Sequence, residues 1–134
     1  MKRRDFIASA AAFCVAAPAL AAVEYTPGLV EAELAAGKTV FLDFKAAWCS
    51  TCAAQERAIN ALRAENPAYD AAISFINVDW DQYRRDALTV GLNIPRRSTL
   101  VVLKGEEELG RIVAGTSKAA IKELMDTALA AASA

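Results

Sequence analysis

The chain has 134 residues, 55% of them hydrophobic, with 15 basic and 16 acidic side chains and a net charge of −1. That length suits one domain with a real core, and no basic patch suggests nucleic acid. There is no histidine, which removes Ser-His and Cys-His nucleophile pairs and most zinc and copper sites.

Residues 1–21 read as an export signal that is removed in the mature protein. Lys2, Arg3 and Arg4 form a basic start, Ile7 to Ala17 is apolar apart from Ser9, and Pro18 breaks the run. Ala19-Leu20-Ala21 is then a small-residue cleavage site. The apolar stretch is shorter than the roughly 20 residues of a spanning helix; an uncleaved anchor is the alternative. Arg3-Arg4-Asp5-Phe6-Ile7 resembles a twin-arginine signal, departing from it at Lys2, where Ser or Thr is usual. That route and the general one both lead out of a bacterial cytoplasm, to the periplasm. Cleavage after Ala21 leaves residues 22–134, a domain of 113 residues with 12 basic and 15 acidic side chains. Cys14 leaves with the signal, so Cys49 and Cys52 are the thiols that remain. A bridge between them closes almost no loop and adds little stability, so the pair needs a chemical explanation.

Thr26 is placed to cap a first helix over 27–36, with Pro27 in its first turn and Gly37 at its end. Thr39 to Phe44 reads as a buried strand. Residues 49–65 read as a helix with Ile59 and Leu62 on its apolar face and Glu56, Arg57 and Arg63 mostly on the other. Ile73 to Val78 is a second strand, and 81–90 a polar helix stopping at Gly91. Thr99 to Leu103 is a third strand, Lys104-Gly105-Glu106-Glu107 a turn, and Leu109 to Ala114 a fourth strand. The last helix, 117–131, places Ile121, Leu124, Met125 and Ala128 on one face. This order implies an α/β fold, a mixed central sheet flanked by helices.

The chemistry sits in Trp48-Cys49-Ser50-Thr51-Cys52, directly after the strand that carries Asp43. Two thiols three positions apart can close a disulfide across one helical turn. A thiol at a helix N-terminus is acidified by unpaired N–H groups and the helix dipole, from about 8.5 into the range of roughly 3.5 to 7.5. A thiol pair can also hold Cu(I). The string from Asp43 to Cys52 resembles the active-site segment of the thioredoxin family. Asn77-Val78-Asp79 is similar to the end of that family's second strand. Ser98 to Gly105 is similar to its Pro-Thr-Leu strand and hairpin, and Gly115 with Ile121-Lys122-Glu123-Leu124 to its C-terminal end. The resemblance spans 28–130 and implies a thioredoxin fold. Leu92-Asn93-Ile94 followed by Ser98-Thr99 most resembles the thioredoxin-like domains of periplasmic disulfide reductases.

The resemblance implies roles. Cys49 is the nucleophile that forms a mixed disulfide with a partner, and Cys52 resolves it. Asp43 helps move the proton of Cys52, acting through water, its own pKa raised by burial; a solvated strand-end carboxylate is the alternative. Lys45 leaves the same strand face as Asp43 and could pair with it, standing in for a buried lysine whose position Phe75 occupies. Trp48 covers one side of the thiols and offers a flat surface to partners. Ser50 and Thr51 tune the pair without adding positive charge, which favours a reducing or intermediate potential over that of a strong oxidant. Trp80 and Tyr83 read as packing residues. Arg97, Ser98 and Thr99 line the expected substrate groove. There the family has a cis-proline at the position of Ser98, and Pro95 lies three residues early. Either the loop is trans and reshaped, or Ser98 is strained and functional. Arg96 and Arg97 either give this mouth a positive charge that favours acidic partners or are simply solvated arginines.

The expected activity is thiol–disulfide exchange in the periplasm, mainly reductive. Protein thiols and disulfides are its partners and a membrane-bound protein its electron donor. The chain is expected to act as a monomer, with no cofactor beyond the Cys49-Cys52 disulfide and no metal. An oxidant or isomerase is the first alternative and a Cu(I) carrier the second.

Overall fold

The computed structural model describes residues 22–134; the expected export signal lies outside the described residues. In chain order the elements are β1 (Val23–Glu24), α1 (Leu29–Ala35), β2 (Thr39–Lys45), α2 (Ser50–Glu65), α3 (Ala68–Ala72), β3 (Ile73–Asp79), α4 (Trp80–Tyr83), α5 (Ala87–Gly91), β4 (Thr99–Lys104), β5 (Glu107–Val113) and α6 (Lys118–Ala132). The sheet order is β1-β3-β2-β4-β5. β3 runs parallel to β1 and β2, whereas β4 is antiparallel to β2 and β5.

β2 lies at the centre of the sheet and is buried along almost its whole length. Its side chains alternate between two cores, as the two-residue strand period requires. Val40, Leu42 and Phe44 join Tyr25, Val30, Ile76, Val78, Val101 and Leu103 on one face. Phe41 joins Ile59, Leu62, Phe75, Leu100, Val102, Ile121 and Met125 on the other, beneath α2 and α6. Asp43 and Lys45 share the parity of Phe41. The central strand therefore carries a carboxyl into the layer between sheet and α2.

Several expectations are corrected. The first helix begins at Leu29, and its N-cap is Gly28 at φ 93°, not Thr26. Pro27 and Gly28 form a turn in which the Thr26 carbonyl accepts the Leu29 N–H at 3.0 Å, a left-handed geometry that glycine tolerates. The single helix expected over 81–90 is two short ones. Asp86 separates them by capping the Leu88 N–H at 3.1 Å while its carboxylate accepts the Tyr25 hydroxyl at 2.7 Å. β1 and α3 were not anticipated. Arg63, assigned to the solvent face of α2, is 5% exposed. It pairs with Asp70 at 2.5 Å and lies 4.4 Å from the centre of the Phe75 ring.

Candidate active site

β2 ends at Lys45, and the chain turns through Ala46 to Trp48 before α2 begins. Cys49 is the N-cap of α2, with extended backbone angles. Its sulfur accepts the Cys52 N–H at 3.1 Å, one of the donors a helix start leaves unpaired. Cys52 lies one turn deeper. Cys49 is 4% and Cys52 1% exposed, both as free thiols. Ala46 and Trp80 pack against the pair.

β4 pairs with β2 so that Thr99 faces Phe44. Ser98, the residue before β4, therefore lands beside the thiols. Among the described residues no peptide bond is cis, and Ser98 adopts φ 64°. Of the two outcomes open from sequence, the loop is trans, and its residue 98 also holds a backbone conformation uncommon for a side chain other than glycine. Ser98 N–H donates to the Phe44 carbonyl at 2.7 Å, and its own carbonyl accepts the Ala114 N–H at 2.8 Å. The hydroxyl is fully buried and touches both sulfurs, 3.2 Å from Cys49 Sγ and 3.1 Å from Cys52 Sγ. Thr99 is buried and donates its hydroxyl to the Arg96 carbonyl at 2.7 Å.

Burial alone would push the Cys49 thiol up. Hydrogen bonds with the Cys52 side chain, Ser98, the Cys52 N–H and Arg97 outweigh it and bring the thiol down to about 7. Burial pushes Cys52 up, and its hydrogen bond with Cys49 adds to the effect, while Ser98 and the Ala46 backbone pull the other way. The environments thus separate the two thiols, Cys49 becoming the more acidic.

Asp43 is buried, not a solvated strand-end group. Desolvation raises its carboxyl to about 7, against the pull of Lys45 and with help from Glu56, Cys49 and Glu24. Its Oδ1 has no hydrogen-bond partner among the described residues. Lys45 does not form the expected ion pair with Asp43. It reaches Glu56 on α2 at 2.9 Å and acts on Asp43 through its field alone. All three line one cleft of about 280 Å³, together with Asn60 and Asn77.

The outer rim is formed by Trp48 and Arg97. Trp48 is 61% exposed, its Nε1 donates to Asp81 Oδ2 at 2.8 Å, and the Arg97 guanidinium lies 4.6 Å from the centre of its ring. Arg96 turns its Nε back to the Arg97 carbonyl at 3.0 Å. Ser50 is exposed and Thr51 half-buried in the first turn of α2. Tyr83 packs edge-on against Tyr25, ring centres 4.9 Å apart.

Sequence reasoning missed Gln55. It is fully buried and donates through Nε2 to the carbonyls of Ser98, at 3.0 Å, and Gly115, at 2.9 Å. The available signal was a polar residue three after Cys52 and four before Ile59, on the helix face that the core claims.

A thiol pair at the start of a helix, fed by the central strand of this sheet, defines a dithiol redox protein of thioredoxin fold. The thioredoxin family pattern matches residues 22–127, and the chain belongs to that family, whose members are thiol–disulfide oxidoreductases. Solved structures agree. Trxlp from Edwardsiella tarda is 28% identical with a TM-score of 0.67, the match covering 78% of this chain and 98% of that one. The thioredoxin pre-protein of Schistosoma mansoni is 27% identical, TM-score 0.62, covering 78% and 94%. An Entamoeba histolytica thioredoxin is 25% identical, TM-score 0.64, covering 80% and 99%. No curated protein matches.

Proposed function

We propose that the chain reduces disulfides of partner proteins in the periplasm, drawing its electrons from a membrane-bound donor. The observation that carries the reading is the place of Cys49 as N-cap of α2, its sulfur accepting the Cys52 N–H at 3.1 Å, and the reductive direction is supported by its modest acidity. Its thiol lies at about 7, beside the value of about 7 for thioredoxin and far from the 3.5 or so of strongly oxidising relatives. A thiolate that is not strongly stabilised keeps the dithiol a good electron donor. Ser50 and Thr51 add no charge to change this. The location rests on the residue order of 1–21, with its basic start, apolar run and Ala-Leu-Ala end.

In this reading Cys49 attacks the partner disulfide and Cys52 resolves the mixed disulfide. Asp43 receives the Cys52 proton, its raised carboxyl able to hold it near neutral pH. Trp48 and Arg97 form the docking rim, where the guanidinium and the cation of Arg96 favour acidic partner segments. The Ser98 and Thr99 loop borders the groove.

Trapping tests the assignment. Cys52→Ser, expressed with its leader, should leave partner proteins covalently held on Cys49 in the periplasmic fraction. Trapping by Cys49→Ser instead would reverse the roles. A reduction potential near or above about −120 mV would sink the reductive direction in favour of an oxidant. No exchange with any disulfide, alongside tight Cu(I) binding lost in Cys49→Ser, would favour the carrier.

A further inference from the structure

Ser98 differs from the family's proline by carrying a hydroxyl and a backbone N–H, and both are used. The backbone is held by the Phe44 carbonyl, the Ala114 N–H and the Gln55 side chain. The hydroxyl is thereby fixed between two sulfurs at nearly equal distance, 3.2 and 3.1 Å. A hydroxyl has one proton to donate. It can serve only one sulfur at a time, and a turn about the C–O bond changes which one. Burial of the residue keeps solvent from competing for it.

We infer that Ser98 is a catalytic residue, a two-position donor that holds the Cys49 thiolate before attack and the Cys52 thiolate during resolution. This rests on the exchange chemistry proposed above. In the first step the Cys49 thiolate attacks a partner disulfide. The Cys49–partner S–S bond forms, the partner's own S–S bond breaks, and one partner sulfur leaves as thiolate and is protonated by solvent. Cys49 sulfur is then uncharged and a weak acceptor, which releases the hydroxyl. In the reading above Cys52 passes its proton through water to Asp43, and it becomes a thiolate that is almost fully buried among Ala46 and Trp80. A charge in that position is costly without a donor, and the Ser98 hydroxyl is in reach. The Cys52 thiolate attacks Cys49 sulfur, the intramolecular disulfide forms, and the second partner sulfur leaves. Two electrons pass from the dithiol to the partner. Proline would offer neither thiolate a donor. The same hydrogen bond pulls both thiols toward the charged form.

The test compares Ser98→Ala with Ser98→Gly in the reduced protein. Both lose the hydroxyl, but glycine accepts φ 64° without strain. Stopped-flow reaction with a chromogenic aromatic disulfide reads the first released thiolate as attack and the second as resolution. Losing a hydrogen bond to a charged group removes about 10- to 100-fold of thiolate. Higher intrinsic nucleophilicity returns about half of that on a logarithmic scale, so at pH 6 both steps should slow about three- to tenfold in both variants. The thiolate absorbance of Cys49 should titrate at higher pH. If either step keeps its wild-type rate in both variants, the two-position role is wrong. Slowing in the alanine variant alone would assign the effect to the backbone and equally overturn it. A wild-type protein that reduces no disulfide would instead overturn the parent reading.

Discussion

The Ser98 N–H donates to the carbonyl of Phe44 across 2.7 Å, tying the residue beside the thiols to the strand that leads into them. Proline cannot make this bond, and its φ of about −65° is far from the 64° found here. Ser98→Pro would return the family's residue to a loop shaped without it. It leaves a buried carbonyl short of a donor, which costs about 1–3 kcal/mol, with the backbone mismatch added. Urea unfolding should show a loss of at least about 2 kcal/mol. An unchanged midpoint would mean that the loop re-forms around proline at no cost.

Asp43 sets a pH dependence of stability. Its carboxyl moves from 3.8 in the unfolded chain to about 7 in the fold, so the folded state binds more protons between those values. Stability from this group is therefore greatest below pH 4, declines as pH rises to about 7, and is flat above. Asp43→Asn removes the penalty, which is at most about 4 kcal/mol at roughly 1.4 kcal/mol per pH unit. The variant should be more stable than wild type at pH 8 and should lose that advantage on approaching pH 4. Parallel stability curves for the two proteins would show that the carboxyl is not buried as a charge.

The Cys49 thiol, lowered from 9.0 to about 7, should set the pH profile of alkylation. Iodoacetamide modification of the reduced protein should rise with a midpoint near pH 7, and Cys49 should be the first residue modified. Being depressed in the fold, this group adds stability above pH 9 that is lost as pH falls through 7. A midpoint near that of a free thiol would show that the bonds from Cys52, Ser98 and Arg97 do not hold the thiolate.

The strands and the thiol motif were legible because their signals are local. Thr39 to Phe44 is a continuous apolar run, and Trp48 to Cys52 follows it at once. What was not legible depends on partners distant in sequence. Lys45 shares a strand face with Asp43, but Glu56, eleven residues on, was free to claim it. Arg63 read as a surface charge because neither Asp70 nor the Phe75 ring can be placed on it before the fold is known. The break between α4 and α5 depends on Asp86 and Tyr25, 61 residues apart. β1 has only two residues, too few to show a period. Ser98 was recognisable as a departure, but its two sulfur contacts follow from the register of β2 and β4.

Gln55 makes a mechanical prediction. Its Nε2 ties the Ser98 loop, which touches the thiols and leads into β4, to the Gly115 loop that follows β5. Gln55→Leu keeps the volume and loses both bonds. The Ser98 carbonyl retains the Ala114 N–H, so the larger loss falls at Gly115. The Gly115 carbonyl is only half-buried and can take a water, so destabilisation of about 1 kcal/mol is expected, the net worth of an ordinary hydrogen bond. Hydrogen exchange should quicken at Ser98 and Ala114 and stay unchanged in the centre of β2. Equal quickening throughout would indicate general destabilisation without a role in joining the loops.

The Lys45–Glu56 pair predicts shifts of opposite sign at one buried group. Lys45 pulls the Asp43 carboxyl down and Glu56 pushes it up, while the two hold each other at 2.9 Å. Lys45→Met removes the one favourable charge and leaves Glu56, so Asp43 should titrate above wild type. Glu56→Gln removes a repulsive charge and unties Lys45, so Asp43 should titrate below it. Carbon-13 NMR of the Asp43 carboxyl across pH 4 to 9 reads both directly. Because burial is the largest cause of the raised value, neither variant should return it to the ordinary carboxylate range. Shifts of the same sign in the two variants would show that the pair acts on Asp43 by rearranging the cleft, since a fixed field cannot change in one direction when charges of opposite sign are removed.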